Sequence, residues 1–327
     1  MTLTVDFNEQ TLPFRTDCIV AGARCLVSTN SHEVLQAAAG WRSATRPNAV
    51  SWFEMEIIVE ESLDAKPGHA AHFRGVRHLV FVLLPPRSFI TYDLQRRRVH
   101  VLLSAAAARD RSFWATLLLP ITIGVLGTTV GVVPLHCACL ERKGSGLLLA
   151  GISGAGKSTL ATALAKRGFA FISDDWTYMS KRPHALTAHG LSCPVKLLPD
   201  TVRFFPDLRR FSPRATLNGE LAYEIDPRES LRFTVKELCR PDHIFFLERT
   251  SSPGCQIVAS SSVYVREFFE KSGERLPDEL REAKAYRANL IERLSTCPAW
   301  TVRTGESPQA TAGVIDQFLE EAKHATA

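Results

Sequence analysis

Residues 144–176 run Gly-Ser-Gly-Leu-Leu-Leu-Ala-Gly-Ile-Ser-Gly-Ala-Gly-Lys-Ser-Thr-Leu-Ala-Thr-Ala-Leu-Ala-Lys-Arg-Gly-Phe-Ala-Phe-Ile-Ser-Asp-Asp-Trp. The apolar run Leu147–Ala150 reads as a buried strand. Gly151 to Ser158 then matches the pattern G-x-x-x-x-G-K-[ST] at every defined position. A helix follows, with Leu160, Ala161, Leu164 and Ala165 on one face, and Gly168 ends it. Strand, glycine loop and helix thus come in the order that gives the motif its meaning.

Each residue type in that loop has a physical reason to be there. Glycines at 151, 154 and 156 let successive backbone N–H groups turn inward on an anion. The helix beginning near Lys157 adds the positive end of its dipole. Lys157 is expected to reach the β- and γ-phosphates of a nucleotide, and the Ser158 hydroxyl to ligate Mg²⁺. The expected nucleotide contacts are therefore Gly151, Ile152, Ser153, Gly154, Ala155, Gly156, Lys157, Ser158 and Thr159. A second apolar strand, Phe169–Ile172, ends in Ser173-Asp174-Asp175. Adjacent carboxylates at that point can bind Mg²⁺ and accept a proton from an attacking hydroxyl. Their mutual repulsion raises one pKa unless a metal or Lys157 offsets it.

The chain has 327 residues, 45% of them hydrophobic and 22% charged, with a formal net charge of +5. That is ordinary for a globular protein of one large or two smaller domains. Arg96-Arg97-Arg98 lies between strand-like residues and reads as a hairpin tip. Basic clusters lack interleaved aromatics, so no nucleic-acid partner is expected. The eight cysteines are scattered without C-x-x-C pairs, which suggests neither a disulfide framework nor a zinc site. Cys137 and Cys139 read as buried thiols on one face of a strand. Met1–Glu9 lacks a signal-peptide layout, and a reducing cytoplasm is the expected compartment. Ser112 to Leu140 carries no Asp, Glu, Lys or Arg, long enough on paper to span a bilayer. Pro120, Pro134 and the intervening glycines favour a buried helix over roughly 113–131 leading into a strand, with no membrane.

Before the loop, residues 1–111 read as a mostly β domain of unknown role. Strand character runs through Cys18–Ser28, with a short helix over Ser31–Ala39, and Phe53–Glu60 alternates. His78–Leu84 reads as a buried run ended by Pro85-Pro86, and Ser88–Asp93 and Arg98–Leu103 as a hairpin. His69 and His72 read as surface residues. Residues 112–131 form the connecting helix, and 132–327 the domain that holds the loop. Within it, Arg240–Arg249 reads as a central strand, 263–295 as helices with charged faces, and Thr301–Gly305 as a short strand. Ser307 caps a last helix over Pro308–Ala322.

His136 stands fifteen positions before Gly151, and Asp174-Asp175 begins twenty-three after it. With Pro-Leu-His-Cys-Ala-Cys-Leu, the glycine loop and Ile-Ser-Asp-Asp, residues 131–180 resemble the catalytic domain of bacterial HPr kinase/phosphorylase. Arg240-Pro241 resembles a later segment of that domain more weakly. The resemblance implies an α/β fold akin to phosphoenolpyruvate carboxykinase and an ATP- and Mg²⁺-dependent kinase acting on a serine hydroxyl. It assigns His136 as the active-site histidine, Asp175 as proton acceptor and Asp174 as its support. By offset alone Asp200 falls near the family's Mg²⁺ glutamate, giving Ser158, Asp174 and Asp200 as metal contacts, and Arg228 near a catalytic arginine. Family members form oligomers, so a homo-oligomer is implied. The family's E-x-R-G-L-G signature is absent, however: Trp176 to Pro199 contains no carboxylate. The chain looks more like divergent HPr-kinase-related proteins, some found beside peptide-modification genes, which implies a protein or peptide acceptor other than HPr. Two alternatives stay open, a small-molecule kinase resembling adenylylsulfate kinases and a non-catalytic nucleotide-binding regulator.

Overall fold

The structure, a computed structural model, describes residues 11–41, 52–61, 71–84, 88–181, 185–191, 193–216, 219–250, 254–273, 275–305 and 307–324. Met1–Glu9, His69 and Pro85-Pro86 lie outside the described residues. The fold is mixed α/β with several sheets.

The first sheet has seven strands: β1 (Phe14–Val20), β2 (Ala23–Thr29), β3 (Trp52–Glu60), β4 (His72–Val76), β5 (Leu79–Leu84), β6 (Ser88–Asp93) and β7 (Arg98–Ser104). Their order is β1-β2-β3-β7-β6-β5-β4. The strand character over Cys18–Ser28 resolves into a hairpin, because Ala21 and Gly22 both take positive φ (49° and 84°) and turn the chain. Alternation in β3 buries Phe53, Met55 and Ile57 completely. Helix α1 (His32–Ala39) starts where Ser31 Oγ accepts from Val34 N–H. The arginine triplet does sit at the β6–β7 turn, where Asp93 Oδ1 accepts from the N–H groups of Gln95 and Arg96. One expectation needs correction. The apolar run of β5 is buried only at alternate positions: Val82 and Leu84 are buried, whereas Phe81 and Leu83 are 42% and 50% exposed. This strand lies beside the edge strand β4, and one of its faces meets solvent.

Residues 111–130 are helical, as expected, but not as one regular helix. After α2 (Ala105–Arg109), α3 (Arg111–Phe113) passes through a π-turn (Trp114–Leu118) into α4 (Leu119–Leu126) and a 3₁₀ turn (Gly127–Val130). Pro120 offers no N–H to its i−4 carbonyl and crowds it, and the wider π-turn relieves the clash. Among the described residues this is the one helical stretch long and apolar enough to cross a membrane. Its Trp114, Leu117, Leu118, Ile123 and Leu126 are buried in the same apolar cluster as the seven-stranded sheet.

The glycine loop belongs to a six-stranded sheet made of β9 (Ala138–Arg142), β10 (Ser145–Ala150), β11 (Ala170–Ser173), β18 (Pro241–Arg249), β19 (Cys255–Ala259) and β20 (Ala299–Thr304). The order is β11-β9-β10-β18-β20-β19. Both faces are covered. Leu147 and Leu149 join Phe245 and Leu247 in one cluster, Leu148 and Ala150 join Ile244 and Phe246 in another, and the period-two alternation makes the middles of the central strands β10 and β18 apolar on both faces. Helices α5 (Lys157–Lys166) and α8 (Pro308–His324) cover the first face, and α6 (Ser262–Lys271) and α7 (Arg281–Leu294) the second. A four-stranded sheet of β8 (Val132–Leu135), β12 (Thr177–Lys181), β13 (Leu186–His189) and β17 (Leu238–Cys239) adjoins the second face. A three-stranded one, β14 (Val195–Leu197), β15 (Arg214–Ala215) and β16 (Leu221–Ile225), adjoins the first.

The strand carrying the acid pair, β11, is not the neighbour of β10, since β9 lies between them. Because β9 is antiparallel to both, β11 runs in the same direction as β10. The strands β18 and β20 are also parallel to β10. Four strands therefore deliver their C-terminal ends to one edge of the sheet, where α/β proteins bind ligands.

Candidate active site

At that edge β10 ends, and the chain turns through Gly151, Gly154 and Gly156 with φ of 152°, 78° and 98° before entering α5. A Cβ at Gly151 would stand 3.1 Å from the Leu247 carbonyl oxygen on β18, so the close approach of strand and loop needs glycine there. Lys157, the first residue of α5, is buried and folds back across the loop. Its Nζ donates to the carbonyls of Gly151 (3.0 Å) and Ile152 (3.3 Å). Burial holds its pKa below the ordinary lysine value, although Asp175, Cys137 and Asp174 pull upward.

The acids and His136 occupy two crossovers that run side by side between sheets. His136-Cys137 takes the chain from β8 to β9, and Asp174-Asp175-Trp176 takes it from β11 to β12. Since β8 pairs with β12 and β9 with β11, the two crossovers must be adjacent. Thr177 Oγ1 fastens them by donating to the Cys137 carbonyl (2.8 Å), and Ser173 Oγ lies 2.7 Å from the same hydroxyl. This is why residues 39 positions apart meet, with His136 Nε2 and Asp175 Oδ1 separated by 2.7 Å.

The two carboxylates differ sharply. Desolvation pushes Asp174 up to about 6, and the Asp175 charge adds to the rise. The nearby Ser158 hydroxyl and the N–H groups of Lys196 and Asp175 oppose it. Lys196 N–H donates to Asp174 Oδ2 (3.1 Å), whereas Oδ1 is buried and has no hydrogen-bond partner among the described residues. At Asp175 desolvation also pushes upward but is outweighed. His136, Lys157 and Lys196 hold this carboxyl below the usual carboxylate value. With Asp175 ionised, His136 Nε2 carries the proton and donates it to the pair. Asp175 also has a φ of 63°, an uncommon conformation for a side-chain-bearing residue and one that the surrounding bonds must hold in place.

His136, Lys157, Ser158, Asp175, Asp200 and Arg249 line a cleft of about 440 Å³, whereas Asp174 lines a smaller adjoining one of about 110 Å³ with Asp175, Trp176 and Lys196. Ser153, Gly154, Gly156 and Thr159 line the larger cleft as well, whereas Ile152 is 76% exposed and Ala155 is buried. Asp200 reaches the rim from a 3₁₀ turn, and its charge lies 4.0 Å from Arg203. Arg228 is not brought to the cleft. It is exposed, on a turn whose N–H groups bond Asp226 Oδ1. A second cavity of about 380 Å³ continues beyond Gly156 and Thr159, lined by Phe204, Leu247, Thr304 and Thr311. Lys196, Glu220 and Arg249 line the cleft without having been singled out in the sequence, and the Trp176 ring lies tilted by 35° against His136, with centroids 5.5 Å apart. Arg249 closes the apolar strand β18 and had a signal in that position. Only the strand order makes that end a neighbour of the glycine loop.

Among the described residues no cluster of three or more His, Cys, Asp and Glu side chains could hold a metal. The eight cysteines are free thiols. Cys139 and Cys239 approach to 3.5 Å, and Cys137, buried, has its thiol pushed up to about 12.

No family model matches the sequence, and no curated protein matches it. Among the solved structures that match is the HPr(Ser) kinase/phosphatase from Coxiella burnetii, 11% identical to this chain and with a TM-score of 0.33. The match covers 59% of this chain and 92% of that one. It is a distant structural neighbour, and the functional reading below rests on the residues of the cleft.

Proposed function

We propose that the chain is a phosphotransferase of the P-loop type, which moves the γ-phosphoryl group of ATP to a hydroxyl, most simply a serine of a protein or peptide. The observation that carries this reading is the meeting of Lys157, Ser158, Asp174, Asp175 and His136 at one end of the sheet. The loop N–H groups and the α5 N-terminus favour the phosphates, and Lys157 would exchange its two loop carbonyls for phosphate oxygens. The cavity beyond Gly156 is of a size for the nucleoside. Every one of these groups comes from residues 132–327, which we take as the catalytic part.

The donor set fits Mg²⁺. A buried, unpartnered carboxylate oxygen beside a serine hydroxyl is costly unless a cation or a proton satisfies it. Two protein donors are enough for an ion that takes its remaining ligands from phosphate and water. When bound, Mg²⁺ would neutralise charge on the phosphate oxygens, with Ser158 and Asp174 as its protein contacts and Asp200 at the rim. The chain's own residues do the rest. Asp175 orients the acceptor hydroxyl and takes its proton as the acceptor oxygen bonds to the γ-phosphorus and the bond to the β,γ-bridging oxygen breaks. His136 holds the Asp175 carboxylate in place and keeps it ionised. The loop N–H groups and Lys157 receive the charge left on ADP.

The test is transfer of label from γ-labelled ATP to a panel of serine peptides by the purified chain. Transfer that is abolished in Lys157→Ala and Asp175→Asn supports the assignment. Transfer that persists at the wild-type rate in both variants removes it, as does a wild-type protein that binds no nucleotide.

A further inference from the structure

The carboxyl end of β18 overhangs the glycine loop. In the parallel pairing Ala150, the last residue of β10, stands opposite Phe246, so Arg249 lies three residues further on, beside the loop itself. Its Nη2 and Nε are 3.7 and 3.9 Å from the place a Cβ on Gly156 would occupy. The guanidinium forms part of the wall of both the 440 Å³ cleft and the 380 Å³ cavity. Yet it makes no ion pair and no side-chain hydrogen bond among the described residues. The adjacent carboxylate, Glu248, is engaged instead by Arg303 on β20 (3.4 Å). Of the other acids at the rim, Glu220 pairs with Lys196 (2.8 Å), and Asp175 with His136.

A guanidinium held over the loop with no carboxylate partner among the described residues offers a planar fork of donors to an anion. Resting on the phosphate-loop reading above, we infer that Arg249 is a diphosphate clamp, gripping the α- and β-phosphate oxygens of the bound nucleotide. Its place decides which phosphates. With Gly156, Thr159 and Phe204 it lines both spaces, and so stands where the nucleoside cavity opens into the phosphate cleft, a place that suits the phosphates nearest the nucleoside. The same contact stabilises the charge that gathers on the β-phosphate as the γ-phosphoryl group leaves.

The experiment is calorimetric titration of the full chain with ADP and with inorganic pyrophosphate, each with Mg²⁺, for wild type, Arg249→Ala, Arg249→Lys and Lys157→Ala. The clamp predicts that Arg249→Ala weakens both ligands by a similar factor, about 10–100-fold, the size expected for hydrogen bonds to a charged partner. Lysine should restore part of this, as a point charge without the fork. The melting temperature should stay at the wild-type value, because the arginine side chain bonds no other side chain among the described residues. Unchanged affinity in Arg249→Ala, with binding lost in Lys157→Ala, overturns the clamp and leaves the loop reading standing. A loss for ADP without a loss for pyrophosphate overturns it too, making Arg249 a wall of the nucleoside cavity. A wild type that binds neither ligand removes the loop reading and the clamp together.

Discussion

Replacing Asp174 with asparagine should stabilise the protein at neutral pH while it abolishes phosphoryl transfer. The buried Oδ1 has no hydrogen-bond partner among the described residues, and burial together with the charge of Asp175 raises the carboxyl from 3.8 to about 6. At about 1.4 kcal/mol for each tenfold change in proton affinity, keeping this group ionised in the folded state costs about 3 kcal/mol. Relaxation and water entry make about 1–3 kcal/mol the working range. The sign follows from proton counts. Between about pH 4 and pH 6 the folded protein retains a proton that the unfolded chain has released, so stability from this group falls as pH rises through that window. Asparagine has no such loss, and its amide oxygen can still accept from Lys196 N–H. Urea melts of both proteins at pH 4, 5, 6, 7 and 8 should show a small difference at pH 4 that grows to a plateau above pH 7. MgADP should then raise the melting point of the wild type more than that of the variant, since Asp174 is a proposed metal contact. A stability difference that does not change with pH, or an asparagine variant less stable than wild type at pH 8, would refute the reasoning.

Three further outcomes are expected. Asp175→Asn, which removes the charge facing His136, should lower kcat by about 10²–10⁴-fold while nucleotide affinity, read by titration, changes little; a loss of affinity with kcat intact would argue against a proton acceptor. Lys157→Ala should eliminate detectable ATP binding, and a dissociation constant within threefold of wild type would exclude the phosphate contact. Gly190→Ala places its Cβ against the Ile172 carbonyl, two residues before Asp174. It should cost about 1–3 kcal/mol in urea melts and displace the acids, reducing turnover as well; a variant of wild-type stability would show that β11 can shift freely.

Much of the fold could be read where one period dominates. The β10–α5 unit, the β6–β7 hairpin, the central strand β18 and the final helix α8 fall within a few residues of their expected places, because apolar periodicity, glycine and caps act over short distances. The half-open strand β5 departs from its expected burial for the converse reason. A run of Leu, Val and Phe has the same composition whether one face or both are covered, and only the neighbouring edge strand decides. The π-turn before Pro120 was likewise invisible in composition, although its cause is a single residue.

For the candidate site, the order of residues along the chain marked the loop, Lys157, Ser158 and the acid pair as candidates, because a motif of fixed spacing is a local pattern. What the sequence could not decide was which acid would be buried without a partner and which would be held ionised. That follows from two adjacent crossovers between sheets, which bring His136 to Asp175 and leave Asp174 Oδ1 facing inward. Nor could it place Arg249 over Gly156 or keep Arg228 away, since both depend on strand order and on the direction β18 runs. Short-range patterns are written in the spacing of residues, whereas desolvation and the pairing of charges depend on which distant segments the fold packs together.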